Sequence, residues 1–359
     1  MSEARNWRTM TEKVRWGVLG VAKIAVQRII PAMQRSQWAE VAAIASRDPD
    51  KARAAAAAAG IPRAYGSYEE LLADRDIEVV YNPLPNHLHV PWSIRAVEAG
   101  KHVLCEKPVA LSTAEAHTLL AARDRAGVLV QEAFMVRTHP QWTRAADIVQ
   151  SGQIGAVRAI VGAFGFFNDD AANIRNIPAC GGGAIMDIGC YLVNTSRLIL
   201  RREPERVMAA IDRDPRLGVE RLASMLFDFG SVHAIGTCSI QMAPYQRINI
   251  CGARGRIEIE IPFNAPRDRP CRLFVDDGAD LSGGGIERIE VDTCDQYAVQ
   301  ADLFSQAVRG LRPPAYPLED SIRNMAVIDA VFRSAKSGQW EVPAVDTSET
   351  AETRSATAR

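Results

Sequence analysis

Two residues with chemical potential stand four apart in Gly181-Gly-Gly-Ala-Ile-Met-Asp-Ile-Gly-Cys-Tyr191: a carboxylate, Asp187, and a phenol, Tyr191. A carboxylate accepts hydrogen bonds, and a phenol can give or take a proton. On a helix, residues four apart project from nearly one face, so the two would point together. Ile185, Ile188, Leu192 and Ile199 then form much of the opposite, buried stripe. The three glycines let the chain turn sharply into the helix and leave room for a ligand beside the backbone. A core helix with a capped acid and a packed phenol is the plainer alternative.

A second cluster lies near the amino terminus. Gly17-Val-Leu-Gly-Val-Ala-Lys-Ile-Ala25 closes an apolar strand and opens a helix. From Gly20 it reads G-x-A-x-x-A, a variant of the dinucleotide fingerprint, with Lys23 and Ile24 inside it. Gly20 allows the tight turn, and Ala25 is the small residue for helix–strand packing. Ala22 replaces the glycine that lets backbone approach a pyrophosphate. The next strand ends in Ala45-Ser-Arg-Asp48. The hydroxyl of Ser46 and the guanidinium of Arg47 suit a 2′-phosphate, because arginine pairs with it bidentately. NADP is therefore the preferred cofactor. Asp48 either caps the following helix or leaves NAD open. Tyr81-Asn-Pro-Leu-Pro-Asn-His-Leu-His89 forms a rigid loop at the carboxyl edge of the sheet. There Leu84, Pro85, Asn86 and His89 are placed to line a nucleotide pocket. A metal at His87 and His89 is not indicated, since no acidic or thiol partner sits nearby.

These residues need a scaffold, and the 359-residue chain is long enough for two domains. Over the first 132 residues short apolar runs (15–19, 41–45, 79–81, 102–105, 129–130) alternate with helical segments. That pattern predicts a doubly wound parallel sheet. After about residue 155 the period changes. Residues 247–251 and 256–261 alternate around a Gly252–Gly255 turn, and 227–235 turns at Gly230-Ser231. Both read as hairpins. The prediction is a Rossmann domain over 14–132 and an α+β domain over 133–343. The second holds an open, mostly antiparallel sheet covered on one face by helices, with late helices at 297–310 and 320–337. Residues 1–13 read as an extension and 344–359 as a disordered tail.

The formal net charge of −1 offers no basis for binding nucleic acid or an anionic membrane. No apolar run reaches a bilayer-spanning length of ~20 residues, and no secretory signal is visible. Seven cysteines without a CxxC read as free thiols in a reducing, cytoplasmic setting. Cys105 and Cys190 read as small buried thiols.

Cys105-Glu-Lys-Pro-Val109 completes a combination. With the fingerprint, the PLPNHLH loop and the 181–191 stretch, the sequence resembles the Gfo/Idh/MocA oxidoreductases over residues 14–343. That family takes its name from glucose–fructose oxidoreductase, inositol dehydrogenase and a rhizopine-catabolism protein. Glu132-Ala-Phe-Met-Val-Arg-Thr-His-Pro140, Asn173-Ile-Arg175 and tyrosine rather than histidine at 191 make it most similar to a sugar-oxidising branch. This branch holds D-xylose dehydrogenases, aldose–aldose oxidoreductases and dimeric dihydrodiol dehydrogenases. The resemblance implies that Glu106 and Lys107 lie by the nicotinamide, that Asp187 orients substrate and that Tyr191 transfers the proton. It places His139 and Arg175 at the sugar pocket, with Tyr297 a further substrate residue.

A phenol of pKa ~10 must fall to ~7 to serve as a base, a change of about 4 kcal/mol. A unit charge at ~4 Å supplies about that at an effective dielectric of ~20. Lys107 is the implied source of that charge, in a site that excludes much of the solvent. The expected activity is oxidation of an aldose at C1 to the lactone. Alternatives on the same residues are aldose–aldose exchange on tightly bound NADP, reduction of a keto or anhydro sugar, and oxidation of a trans-dihydrodiol. A regulator that binds dinucleotide without turnover is the alternative of a different class. An open sheet needs cover on its second face, so a homodimer or homotetramer built on it is expected.

Overall fold

The computed structural model describes residues 12–345. Most of the expected extension and tail, residues 1–11 and 346–359, lies outside the described residues. Two compact units result, one from residues 12–110, 115–135 and 295–321, the other from 111–114, 136–294 and 322–345.

In the first unit, β1 (Val14–Leu19), β2 (Ala39–Ala45), β3 (Arg63–Tyr65), β4 (Val79–Asn82), β5 (His102–Cys105) and β6 (Val130–Glu132) form a parallel sheet ordered β3-β2-β1-β4-β5-β6. The strand order reverses between β1 and β4, the position where doubly wound sheets open a crevice at the carboxyl ends of their strands. The sequence reading missed β3. It is three half-buried residues on the sheet edge, so it carries no apolar run to detect. The intervening helices are α1 (Ile30–Gln34), α2 (Pro49–Ala59), α3 (Tyr68–Ala73), α4 (His89–Glu98) and α5 (Thr113–Ala126).

Residues 295–321 sit in this unit, although sequence order suggested the second domain. The reason is packing. From α8 (Gln296–Val308), Phe304 packs at a tilt on Trp16 of β1, ring centroids 5.7 Å apart, and Ser305 Oγ accepts the Trp16 indole N–H at 3.1 Å. Both side chains lie in the core with Val18, Ile29, Ile44 and Tyr81.

The second unit holds an eight-stranded sheet ordered β14-β13-β12-β11-β7-β10-β9-β8. The strands are β7 (Val157–Phe167), β8 (Arg206–Arg213), β9 (Glu220–Asp228), β10 (His233–Ser239), β11 (Gln241–Gly252), β12 (Arg256–Ile259), β13 (Cys271–Asp276) and β14 (Ile286–Val291). All neighbours are antiparallel except β7 and β10. The expected hairpins are β11–β12 and β9–β10. Helices α6 (Pro140–Gln150) and α7 (Cys190–Leu200) pack on one face, and the late helix α9 spans Leu318–Ser337.

Two glycines set how closely α7 approaches this sheet. Gly162 and Gly236 are register partners on β7 and β10. A Cβ at either would lie 2.7 or 2.9 Å from a methyl of Leu192. The missing side chains thus form a hollow that receives Leu192, one residue after Tyr191.

Candidate active site

Gly20 follows β1 with φ +83°, a left-handed value that favours glycine. A Cβ there would lie 3.0 Å from Leu84 and 3.5 Å from the Tyr68 hydroxyl. The turn is therefore a cradle with no room for a side chain, as a pyrophosphate-binding turn requires. Ala22 and Ile24 are partly buried against the core, and Lys23 is exposed. The helix that follows is not α-helical throughout: Ala25–Ile29 forms a π turn before α1. Such turns recur at functional sites.

After β2, Ser46 is buried and its Oγ accepts from the Asp48 N–H at 3.2 Å. Asp48 caps α2, accepting from the N–H groups of Asp50 and Lys51 at 3.1 and 3.2 Å. Its carboxylate is committed to the helix start, while Arg47 is exposed. These groups fit a dinucleotide whose ribose carries a phosphate.

The backbone around Lys107 is held from three directions. The Tyr81 hydroxyl, deep in the core, donates to Glu106 Oε1 at 2.6 Å. The Val109 N–H donates to the buried Glu132 carboxylate at 2.7 Å. His89 Nδ1 lies 2.7 Å from the Pro108 carbonyl, and Nε2 lies 2.7 Å from that of Leu84. His89 was expected to line the nucleotide pocket. Instead its ring is a buried strut that ties the PLPNHLH loop to Glu-Lys-Pro. Burial pulls its pKa down to about 4, against the two carbonyls, which favour the cation. Leu84 is buried, and Pro85 and Asn86 are partly exposed.

In the second unit, the Asp187–Tyr191 segment also begins as a π turn, Ile185–Gly189, and continues as α7. The uniform α-helix assumed from sequence therefore does not hold here. The segment is buried on nearly all sides, with Asp187 half-buried. The Tyr191 ring packs at 5.9 Å against Phe164 and 5.4 Å against Phe263. Asp187 Oδ2 accepts from Arg175 Nε at 2.7 Å. The sequence placed both at the sugar pocket but did not pair them.

The glycines before the helix have a different use from the one expected. A Cβ at Gly182 would lie 2.4 Å from the Arg175 carbonyl, and one at Gly183 would lie 2.0 Å from the Glu220 carboxylate. The space beside these two is filled by the protein rather than left for a ligand. The Gly183 N–H donates to the Arg175 carbonyl at 2.8 Å, so Gly182 and Gly183 clamp the backbone of the arginine that pairs with Asp187. Glu220, missed in the sequence reading, is 3 % exposed and accepts from the Ile185 N–H at 3.4 Å, near the start of the π turn. Burial pushes its carboxyl pKa up, opposed by Arg213. Its only sequence signal is an acid in an alternating strand.

The remaining substrate candidates are His139 and Tyr297. His139 is fully enclosed and caps α6, its Nδ1 accepting from the Gln141 N–H at 3.1 Å. The proton then sits on Nε2, and burial lowers the pKa to about 4. Tyr297 belongs to the first unit, partly buried against its hydrophobic core. Burial and the Glu106 carboxylate push its phenol up, so it stays protonated. Among the described residues no group of three or more His, Cys, Asp or Glu is placed to hold a metal ion. No helix among them is long and apolar enough to cross a membrane.

Residues 14–134 match the model of the oxidoreductase family with an NAD-binding Rossmann fold, and residues 142–258 match the GFO/IDH/MocA carboxyl-terminal domain. An uncharacterized oxidoreductase from Rhizobium meliloti is 49 % identical over 91 % of this chain and 98 % of its own length. The chain belongs to the Gfo/Idh/MocA oxidoreductase family. It is therefore an oxidoreductase, and residues 14–134 match its NAD-binding Rossmann domain. An NADP-dependent D-xylose 1-dehydrogenase from Haloferax volcanii is 39 % identical, covering 90 % of the chain and 98 % of that protein. The crystal structure of a 3-ketoreductase from Actinomadura kijaniata, in complex with NADP and TDP-benzene, superposes with a TM-score of 0.84. It is 32 % identical and covers 90 % and 98 % of the two chains.

Proposed function

We propose that this Gfo/Idh/MocA member oxidises an aldose at C1 to the lactone, with NADP as hydride acceptor. The observation that carries the reading is the Arg175–Asp187 pair. An unpaired arginine would select a carboxylate or phosphate. Paired, the two present donors and acceptors with little net charge, which suits an uncharged polyhydroxylated substrate. The identity to an NADP-dependent D-xylose 1-dehydrogenase supports the same class.

NADP would be held by Gly20 and the backbone of the following turn, with Ser46 and Arg47 at the 2′-phosphate. Its nicotinamide supplies the hydride acceptor. The chain's own residues handle the rest. Asp187, oriented by Arg175, accepts a hydrogen bond from a sugar hydroxyl and fixes the ring. Lys107, on a backbone braced by Glu106, Pro108 and Val109, provides the positive charge that favours phenolate. Tyr191, walled by Phe164 and Phe263, takes the hydroxyl proton. Crystal structures of the Actinomadura enzyme exist with one lysine replaced by alanine or glutamate and one tyrosine by phenylalanine. That lysine and tyrosine are separated by as many residues as Lys107 and Tyr191, which supports treating this pair as the working one.

The test is absorbance at 340 nm on mixing the protein with NADP and a panel of aldoses, polyols and dihydrodiols. An aldose should raise it, and Tyr191→Phe should lower kcat by about 10²–10⁴ while NADP still binds. Silence with every aldose defeats the reading. The likeness to a 3-ketoreductase favours one second reading, reduction of a keto sugar. It is recognised by consumption of NADPH. We also propose a homodimer built on the outer face of the second unit's sheet.

A further inference from the structure

We propose that Glu220 is a positioning residue for the reaction: from β9, its buried carboxylate caps the helical stretch that bears Asp187 and so sets where that acid meets the sugar. The inference rests on the sugar-oxidation reading above and adds to it the residue that holds Asp187.

A helix start leaves backbone N–H groups without partners, and a Ser, Thr, Asp or Asn side chain at the first residue commonly accepts from one of them. Here that residue is Gly183. Its carbonyl accepts the Asp187 N–H at 3.1 Å, which opens the helical stretch, but it has no side chain to offer. The π turn has no side-chain cap from its own first residues. The acceptor comes instead from another strand. Glu220 Oε1 takes the Ile185 N–H at 3.4 Å, and the Glu220 carboxylate stands where the side chain of residue 183 would begin. An acid also suits the positive end of a helix. Burying an acid costs free energy unless it has partners. Glu220 meets that cost with the Ile185 N–H and with Arg213 Nη1 at 3.5 Å.

A second contact makes the cap matter for Asp187. At the other end of the π turn, a Cβ on Gly189 would lie 3.0 Å from Cys238 Sγ on β10. β9 and β10 are antiparallel neighbours, with Ala223 opposite Cys238 in register. The π turn is thus seated on two adjacent strands, on Glu220 at Gly183 and on Cys238 at Gly189, with Asp187 between. Without the first seat the turn can pivot on the second, and Asp187 moves relative to Arg175. Tyr191 is held separately, because Phe164 and Phe263 wall its ring.

The experiment compares Glu220→Ala, Glu220→Gln and Glu220→Asp in the full chain, by steady-state kinetics with NADP and the aldose it oxidises. Alanine removes the cap and should lower kcat/KM for the sugar about tenfold, the scale of one capping interaction, with Kd for NADPH within about twofold. Glutamine keeps an acceptor oxygen at the same reach and should recover most of that loss. Aspartate keeps the charge but falls a methylene short, and should behave like alanine. In an Asp187→Ala background, Glu220→Ala should change kcat/KM by less than about twofold, because the carboxylate acts through that acid. A further loss of the full size there would mean a merely structural role and overturn the proposal. So would equal kinetics for the alanine and glutamine variants. Amide hydrogen exchange over residues 183–191 gives a readout independent of turnover: Glu220→Ala should speed it about tenfold and Glu220→Gln should not. Should the alanine variant fold poorly, aspartate against glutamine makes the same comparison. If the unmodified chain oxidises no aldose, the reading above fails and this inference with it. If it does, unchanged kinetics or unchanged exchange in the alanine variant removes this inference alone.

Discussion

The guanidinium of Arg175 and the carboxylate of Asp187 meet at 2.7 Å, and Gly182 and Gly183 pack on the backbone of that arginine. The Asp187 side chain is 12 % exposed and that of Arg175 is 41 % exposed, so solvent screens the pair and its worth to stability is small. Its value lies in orientation. Arg175→Ala should raise KM for the sugar about tenfold and change kcat little. Asp187→Ala should depress kcat/KM about a hundredfold. The double variant should resemble Asp187→Ala alone, since the arginine acts through the acid. Additive losses in steady-state kinetics would refute the coupling.

The two glycine environments make a sharper comparison. Gly183 has φ +115° and meets the Glu220 carboxylate, whereas Gly60 has φ +65° with nothing within 4 Å of a Cβ. Gly60→Ala carries only the left-handed penalty of about 1–2 kcal/mol. Gly183→Ala carries backbone strain and a clash with a buried acid. It should cost at least twice as much in urea unfolding and also reduce turnover, because Glu220 sits near the start of the π turn that bears Asp187. A Gly183→Ala variant with full activity would separate that packing from catalysis.

Much of this was legible because the signals are local. The β1 turn, the Asp48 cap, the Glu-Lys-Pro strand end and both hairpins depend on near neighbours in sequence. Arg175–Asp187, Gly183–Glu220 and Tyr68–Gly20 do not. Each joins residues whose types are common in loops, strands or helix starts, and only folding makes them partners. The same holds for Tyr297: its segment follows the second sheet in sequence, but Trp16 and Phe304 draw it into the first core. The π turns escaped for another reason, since apolar period alone does not separate a five-residue π turn from the α-helix around it. His89 is expected at the nucleotide pocket from its loop and His139 at the sugar pocket from the family resemblance, yet both His89 ring nitrogens lie against carbonyls and His139 Nδ1 accepts a backbone N–H.

His139 gives a pH prediction with a definite sign. Its folded pKa of about 4 lies below the ordinary value of 6.5. As pH falls, the unfolded chain binds the proton first. The contribution to stability is complete above about 6.5 and is lost progressively down to about 4. Its full size is about 3 kcal/mol. Asparagine is a good helix cap and does not titrate. His139→Asn should therefore keep α6 and flatten the loss of stability between pH 6.5 and 4, read from urea midpoints across that range. An unchanged pH slope would mean that the buried ring is not the group being protonated.

The outer face of the second sheet bears on assembly. Val161 of β7 and Ile235 of β10 are directly paired in register and remain 43 % and 47 % exposed. Leu222 of β9 and Tyr245 of β11 add further apolar area at 39 % and 50 %. Strands with both faces apolar at their centre are at odds with a sheet that meets water on one side, where alternation normally leaves polar side chains outward. Burying this face against a second copy removes the conflict, and a two-fold axis would let the same residues serve both chains. Light scattering should then give at least twice the chain mass. Val161→Asp puts a charge at the centre of that contact and should shift the protein toward the single-chain mass, with fold retained because the position already tolerates solvent. A single-chain mass for the unmodified protein at micromolar concentration would leave the exposed pair without this explanation.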